Sequence, residues 1–104
     1  MKLINCAEKT NFTADKLCRE LLYDSPNVRV LSFNFEPGQE LPVHSHDVES
    51  DVALLILEGE GVFLGGPEPI PAKAGMLQIM PVDQAHGFRA RTRVRLLVFI
   101  APTL

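Results

Sequence analysis

The sequence has no tryptophan, one tyrosine, two cysteines and three histidines in 104 residues. Cys6 and Cys18 are too few for the disulfide framework of a small secreted scaffold, and they read as free thiols filling space as small hydrophobes. The opening Met1-Lys2-Leu3-Ile4-Asn5-Cys6-Ala7-Glu8 lacks the apolar run of a secretion signal, so a reducing, cytoplasmic setting is expected. No apolar stretch approaches the ~20 residues of a membrane-spanning helix, and no membrane partner is expected. Basic residues are scarce as well. Ten Lys and Arg against thirteen Asp and Glu leave a net charge of −3, without the basic footprint of a nucleic-acid binder. What remains is a chain with 46% apolar residues, expected to fold as one domain over residues 1–104 and to bury roughly 60–70% of its unfolded surface.

The chain does contain a succession of short strand patterns, each closed by glycine or proline. Val28 to Glu36 alternates Leu31, Phe33 and Phe35 with Ser32, Asn34 and Glu36, the period of a strand with one buried face. Upstream, Thr13-Ala14-Asp15 can cap a short helix through Leu17, Cys18, Leu21 and Leu22, or Lys16 to Tyr23 can be a strand. The turn Asp24-Ser25-Pro26-Asn27 leads directly into the next strand and favours a hairpin. After the turn Glu36-Pro37-Gly38-Gln39, the apolar run Val52 to Leu57 predicts a strand buried on both faces. Val62-Phe63-Leu64 predicts a short strand, and Pro67, Pro69 and Pro71 an extended connector. Met76 to Met80 is a strand ended by Pro81, and Phe88 to Ile100 closes the chain as one long strand. Such spacing predicts an all-β sandwich or barrel.

The histidines fall in two segments. His44 and His46 stand at i and i+2 in Pro42-Val43-His44-Ser45-His46, and alternate side chains of an extended strand leave the same face. His86 ends Pro81-Val82-Asp83-Gln84-Ala85-His86, downstream of Gly75. A lone His-x-His is most simply a solvated pair on a strand. Here no histidine lies elsewhere, and neutral imidazole is the commonest protein metal ligand. Three imidazoles with open positions suit a divalent transition metal (Fe, Ni, Mn, Cu or Zn), and ligand type alone does not choose among them.

Together the two segments resemble the paired motifs of the cupins, which are small jelly-roll barrels. The first cupin motif is a glycine, five residues, His-x-His, three or four residues, a glutamate, six residues and a glycine. Gly38, His44 and His46 match it, and Leu57-Glu58-Gly59-Glu60-Gly61 resembles its end. The second is a glycine, five residues, Pro-x-Gly, two residues, His, three residues and Asn. Gly75, Pro81 and His86 match, with Asp83 in place of the glycine and Ala90 in place of the asparagine. The motifs cover about 38–61 and 75–90. The resemblance implies an all-β, cupin-like double-stranded β-helix (a jelly-roll barrel) that holds a metal by His44, His46 and His86. It departs at the family's metal-binding glutamate, whose place is Val52 counting back from Gly59 and Asp51 counting forward from His46. Asp51, or secondarily Glu49, completes the site if the enlarged loop turns inward; otherwise water does. Strand parity places Val52, Leu54 and Ile56 inward and Asp51 outward unless a bulge re-aims it.

Cupins of this size resemble dioxygenases, isomerases and lyases alike. The resemblance therefore implies a metal-dependent oxidation or isomerisation of a small organic substrate, with a non-catalytic binding or sensing module as the alternative. The three-histidine thiol dioxygenases also use a tyrosine, and Tyr23, in the early hairpin, is not placed to match it. The expected interior lining is apolar: Phe33 or Asn34, Val52, Leu54, Phe88 and Leu96, with Gln78 or Asn34 as sparse polar contacts. Such a lining suits a small, weakly charged ligand. Arg89, Arg91, Arg93 and Arg95 fall on one face of an unbroken final strand, opposite Phe88, Ala90, Val94, Leu96 and Val98. That row is an anion or partner surface or, more simply, a solvated edge. Apolar side chains left outward on Val52 to Leu57 and at Leu97 and Phe99 predict a homodimer.

Overall fold

A computed structural model describes residues 1–104. It contains nine strands: β1 (Cys18–Asp24), β2 (Arg29–Phe35), β3 (Glu40–His44), β4 (Asp51–Glu58), β5 (Glu60–Leu64), β6 (Ile70–Lys73), β7 (Leu77–Pro81), β8 (His86–Ala90) and β9 (Val94–Ala101). All pairings are antiparallel. They form a five-stranded sheet in the order β1-β2-β9-β4-β7 and a four-stranded sheet in the order β3-β8-β5-β6. This is the all-β double-stranded β-helix that the motifs imply. No helix is long and apolar enough to cross a membrane.

Period-two alternation builds the core. Leu31, Phe33 and Phe35 of β2 stand opposite Val98, Leu96 and Val94 of β9, and Val52, Leu54 and Ile56 of β4 stand opposite Ile100, Val98 and Leu96. All are buried in one cluster with Phe63, Ala72, Phe88 and Ala90 of the smaller sheet. The Phe88 ring lies 5.3 Å from that of Phe35 and 5.8 Å from that of Phe63, in tilted and edge-on arrangements that suit the aromatic quadrupole.

Four expectations are corrected. The chain from Phe88 to Ile100 is not one strand: Arg91, Thr92 and Arg93 turn it from the smaller sheet into the larger one. Inward parity survives because Ala90 and Val94 are an even number of residues apart. The arginine row therefore disperses. Arg89 donates to Glu40 at 2.6 Å, Arg93 to both oxygens of Glu36 at 2.6 and 3.3 Å, and Arg95 to Glu58 at 2.7 Å. The guanidinium of Arg93 holds the Glu36 carboxyl below its ordinary range. Second, the proline connector contains edge strand β6, in which Pro71 opposes Val62; a sheet edge tolerates a missing N–H. Third, β4 buries only Val52, Leu54 and Ile56 fully, while Ala53, Leu55 and Leu57 are half-buried on its outer face.

Fourth, Asn34 is not interior. Its Nδ2 donates to the carbonyls of Lys9 at 2.7 Å and Asn11 at 3.0 Å, while Arg95 donates to the carbonyl of Cys6 at 2.6 Å. The amino-terminal segment thus straps the outer face of β2 and β9. Between the helix and strand readings of residues 13–23, the structure takes the strand: β1 pairs with β2 across the expected turn, with a bulge between Leu21 and Tyr23. Cys6 and Cys18 are free.

Candidate metal centre

The two histidine segments meet where β3 pairs with β8, and His44 stands directly opposite His86. Leu41 and His44 are three residues apart and would face opposite sides of a regular strand. Their partners Phe88 and His86 are two apart, so β3 carries one extra residue. This bulge, next to Pro42, lets both Leu41 and His44 line the interior. Close approach of the two strands depends on Gly87, where a Cβ would sit 2.8 Å from the Leu41 carbonyl oxygen and 3.0 Å from the Val43 Cα. Gly87→Ala is expected to push β3 away and to lower the unfolding temperature by several degrees. A variant as stable as the wild type in a thermal melt would refute the close-packing account.

Strand β3 ends at His44, so His46 is carried by the following loop rather than by strand alternation. Its backbone N–H donates to the Val82 carbonyl at 3.0 Å, tying this loop to the segment that leads to His86. The ring centroid of His44 lies 5.3 Å from that of His46 and 4.4 Å from that of His86. Nδ1 of His44 is 2.7 Å from the Pro42 carbonyl, and Nδ1 of His86 is 2.7 Å from the Gln84 carbonyl. A carbonyl only accepts, so Nδ1 carries the hydrogen in both rings and Nε2 keeps its lone pair. The same i−2 bond thus fixes two imidazoles in the tautomer a metal needs.

Burial pushes His86 below the ordinary imidazole value of 6.5, against the Gln84 hydrogen bond, which raises it. The folded state therefore refuses a proton that the unfolded chain accepts, and stability is lost as pH falls through about 6.5. In metal-free protein, the unfolding temperature should drop between pH 7.5 and 5.5. His86→Gln should flatten that slope, and an unchanged slope would remove His86 as its source.

The three histidines line a cavity of about 460 Å³ together with Leu31, Phe33, Val52, Leu54, Val98 and Ile100. Phe88 and Leu96, expected in the lining, are instead fully buried in the core behind it. Gln78 lies opposite Leu54 but outside the cavity wall, with its Oε1 buried and unpartnered. Tyr23 is 41% exposed on β1 and takes no part. Glu49 and Asp51 are exposed and line a separate depression with Ser50, Asp83 and Pro102. At the place where the counts diverge, Val52 is the side chain facing the histidines' cavity.

As the side chains stand, no three His, Cys, Asp or Glu groups are placed to enclose an ion. Two of the three rings are tethered at Nδ1. His46 is exposed and makes no side-chain hydrogen bond, so it is the ring free to swing toward the other two. The donor types are ones a transition metal accepts, three imidazoles of which two are held with Nε2 free against apolar walls, but as placed they do not enclose an ion.

The model of the cupin domain matches residues 31–100, from β2 to the last strand. The chain belongs to the cupin family. An RmlC-like cupin protein from Desulfovibrio desulfuricans has the same fold with a TM-score of 0.95, at 43% identity over 100% of this chain and 99% of that one. TT1209 from Thermus thermophilus matches with a TM-score of 0.88 at 28% identity, covering 98% of each chain. A protein with a double-stranded β-helix domain from Klebsiella pneumoniae shares the fold alone, at 20% identity, with a TM-score of 0.87 over 98% of this chain and 90% of that one. No curated protein matches the sequence.

This cupin has two charged cavity residues that the sequence pattern does not announce, Arg19 and Arg29, beside unannounced apolar ones such as Leu31, Leu41 and Ile100. Strand pairing puts Arg19 there: it stands opposite Phe33, and Leu21 opposite Leu31, both cavity residues, while the sequence alone offers only the shared parity of Leu17, Arg19 and Leu21. The expectation of a lining almost free of charge is corrected accordingly.

Proposed function

We propose that this cupin binds one divalent transition metal through His44, His46 and His86 and oxidises or isomerises a small organic molecule held beside it. The reading is carried by the cavity itself, where three imidazoles from two sequence-distant segments meet and two of them are held with Nε2 free. A bound metal supplies Lewis acidity and, if it is iron, manganese, nickel or copper, redox chemistry. The chain's own residues do the rest. The Pro42 and Gln84 carbonyls orient the rings, and Leu31, Phe33, Val52, Leu54 and Val98 exclude water and shape the space. Elemental analysis after expression in metal-supplemented medium is expected to find about one transition metal per chain, and its absence would overturn the reading. Oxygen uptake with small diols, keto acids and thiols then tests the oxidative form.

A non-catalytic binding or sensing module is favoured by one observation: no Lys, Tyr, Asp or Glu side chain lines the cavity to serve as a general base. Redox-inert zinc with no oxygen uptake would select that alternative.

We also infer a homodimer through the outer face of the larger sheet. Leu77 and Ile79 are 54% and 63% exposed on edge strand β7. They pair with Leu55 and Ala53 of β4, whose other neighbours are Leu97 and Phe99. Of these only Leu77 and Ile79 are exposed, with Ala53, Leu55 and Phe99 half-buried and Leu97 buried, and an edge strand with exposed apolar side chains is an association site unless covered. The wild type should sediment as a dimer at micromolar concentration and the Leu77→Glu/Ile79→Lys variant as a monomer. A monomeric wild type would count against the interface.

A further inference from the structure

We propose that the ligand of the histidine-lined cavity carries a carboxylate, which Arg19 anchors at the rim while the apolar body reaches the imidazoles. The inference rests on the metal-cupin reading for where the ligand sits, and it adds the ligand's chemical class. Three observations carry it. The chain holds thirteen Asp and Glu, yet none lines this cavity, whereas two arginines do. Arg29 is already matched by Asp24, with Nε 3.2 Å from its Oδ1 and Nη2 3.3 Å from its Oδ2. Arg19 is different.

Arg19 takes part in none of the five ion pairs of the structure, and its guanidinium makes no hydrogen bond. Arg19 is exposed at the cavity rim, and among the other arginines only the equally exposed Arg91 lacks a carboxylate partner. β1 is the edge strand of its sheet, and Arg19 stands on it opposite Phe33. Its guanidinium carbon lies 6.0 Å from the centre of the Phe33 ring, at the outer limit of cation–π attraction. Phe33 itself lines the cavity. The planar fork is thus laid along an apolar wall with its donors uncommitted, the arrangement in which Arg recognises a carboxylate by two parallel hydrogen bonds. A cavity of about 460 Å³ accepts one small molecule with a branched or cyclic apolar body. Any metal at the histidines adds positive charge and favours an anion further.

The test uses three probes of one shape: 4-methyl-2-oxopentanoate, its uncharged isostere 4-methyl-2-pentanone, in which a methyl replaces the carboxylate, and 4-methylpentanoate, which keeps the carboxylate and lacks the 2-oxo group. Binding is measured by calorimetry at low ionic strength on wild type, Arg19→Gln and Arg19→Lys, each with and without added metal. The oxo acid is expected to bind wild type about tenfold more tightly than the ketone, the scale of a charge-assisted pair near a surface. Arg19→Gln should abolish that preference and leave ketone binding unchanged, while Arg19→Lys keeps part of it. Equal affinity for acid and ketone overturns the proposal. So does an acid preference that survives Arg19→Gln, or no saturable binding of either acid. Failure of the metal reading has a different signature: both acids bind alike whether or not metal is added, with the Arg19 dependence intact.

Discussion

Phe88→Ala should cost about 3–5 kcal/mol of folding stability, the range for removing a fully buried aromatic side chain. Phe88 has no exposed surface. It belongs to the smaller sheet, yet its ring packs on Phe35 of the larger one and on Phe63 of its own. The ring is also locked from below, since a Cβ on Gly61 would sit 2.5 Å from its edge. The surrounding strands are held by their ladders and cannot collapse into the space a phenyl leaves, so the cavity term adds to the transfer term. Against the ~5–15 kcal/mol typical of a domain, such a loss takes a large share. Urea denaturation should show a lower midpoint with an unchanged slope. A loss under about 1 kcal/mol would mean that the aromatic cluster does not couple the sheets. Phe88→Leu, which refills part of the volume, should recover more than half of the loss.

The inner faces of this barrel are legible in the sequence because alternation on β2, β4 and β9 is a local property of the chain. Even the inward set from Phe88 to Val98 reads correctly across a break that periodicity does not reveal. The turn at Arg91 to Arg93 spans an even number of steps, so it changes the sheet without changing the parity. What local pattern cannot show is which strands adjoin. Arg89, Arg93 and Arg95 read as one face, but each finds its own glutamate once the strands are assembled, and those glutamates lie 49, 57 and 37 residues away. Asn34 has the parity of an outward residue and is nevertheless buried, because the amino-terminal strap covers it.

The site divides in the same way. The histidines are marked by their spacing and by their isolation in the chain. Alternation along one strand, which the spacing of His44 and His46 suggests, is not how the fold places them. A bulge turns His44 inward, and a loop held by the Val82 carbonyl carries His46. Proline at the bulge is the available clue, since it removes a ladder donor where β3 carries its extra residue. Arg19 escapes notice because a charge among apolar neighbours on a short edge strand reads as ordinary solvation until the cavity behind it is seen.

Removing any one of the three imidazoles should weaken transition-metal binding by at least about 100-fold, because loss of an outer partner to a ligand already costs 10–100-fold. The three variants should not be equal in every respect. His86 is 3% exposed and tethered, so His86→Ala should lose affinity and some stability together. His46 is exposed and untethered, so His46→Ala should lose affinity while melting at the wild-type temperature without metal. His44, half-buried and tethered, should fall between them. Competition against a chelator of known affinity, with Ni²⁺ or Zn²⁺, measures the first quantity, and thermal melts of stripped protein the second. Asp51→Asn and Glu49→Gln provide the decisive contrast. Both carboxylates line the separate depression, and their neutralisation should change metal affinity by no more than a few fold through loss of nearby negative charge. If Asp51→Asn instead matches His44→Ala, the loop after His46 folds inward around the metal and the site is three imidazoles with a carboxylate. If His46→Ala binds as tightly as wild type, the exposed ring never swings in. The centre is then the His44–His86 pair alone, too few ligands for a resident metal, and the cavity is left to the ligand held by Arg19.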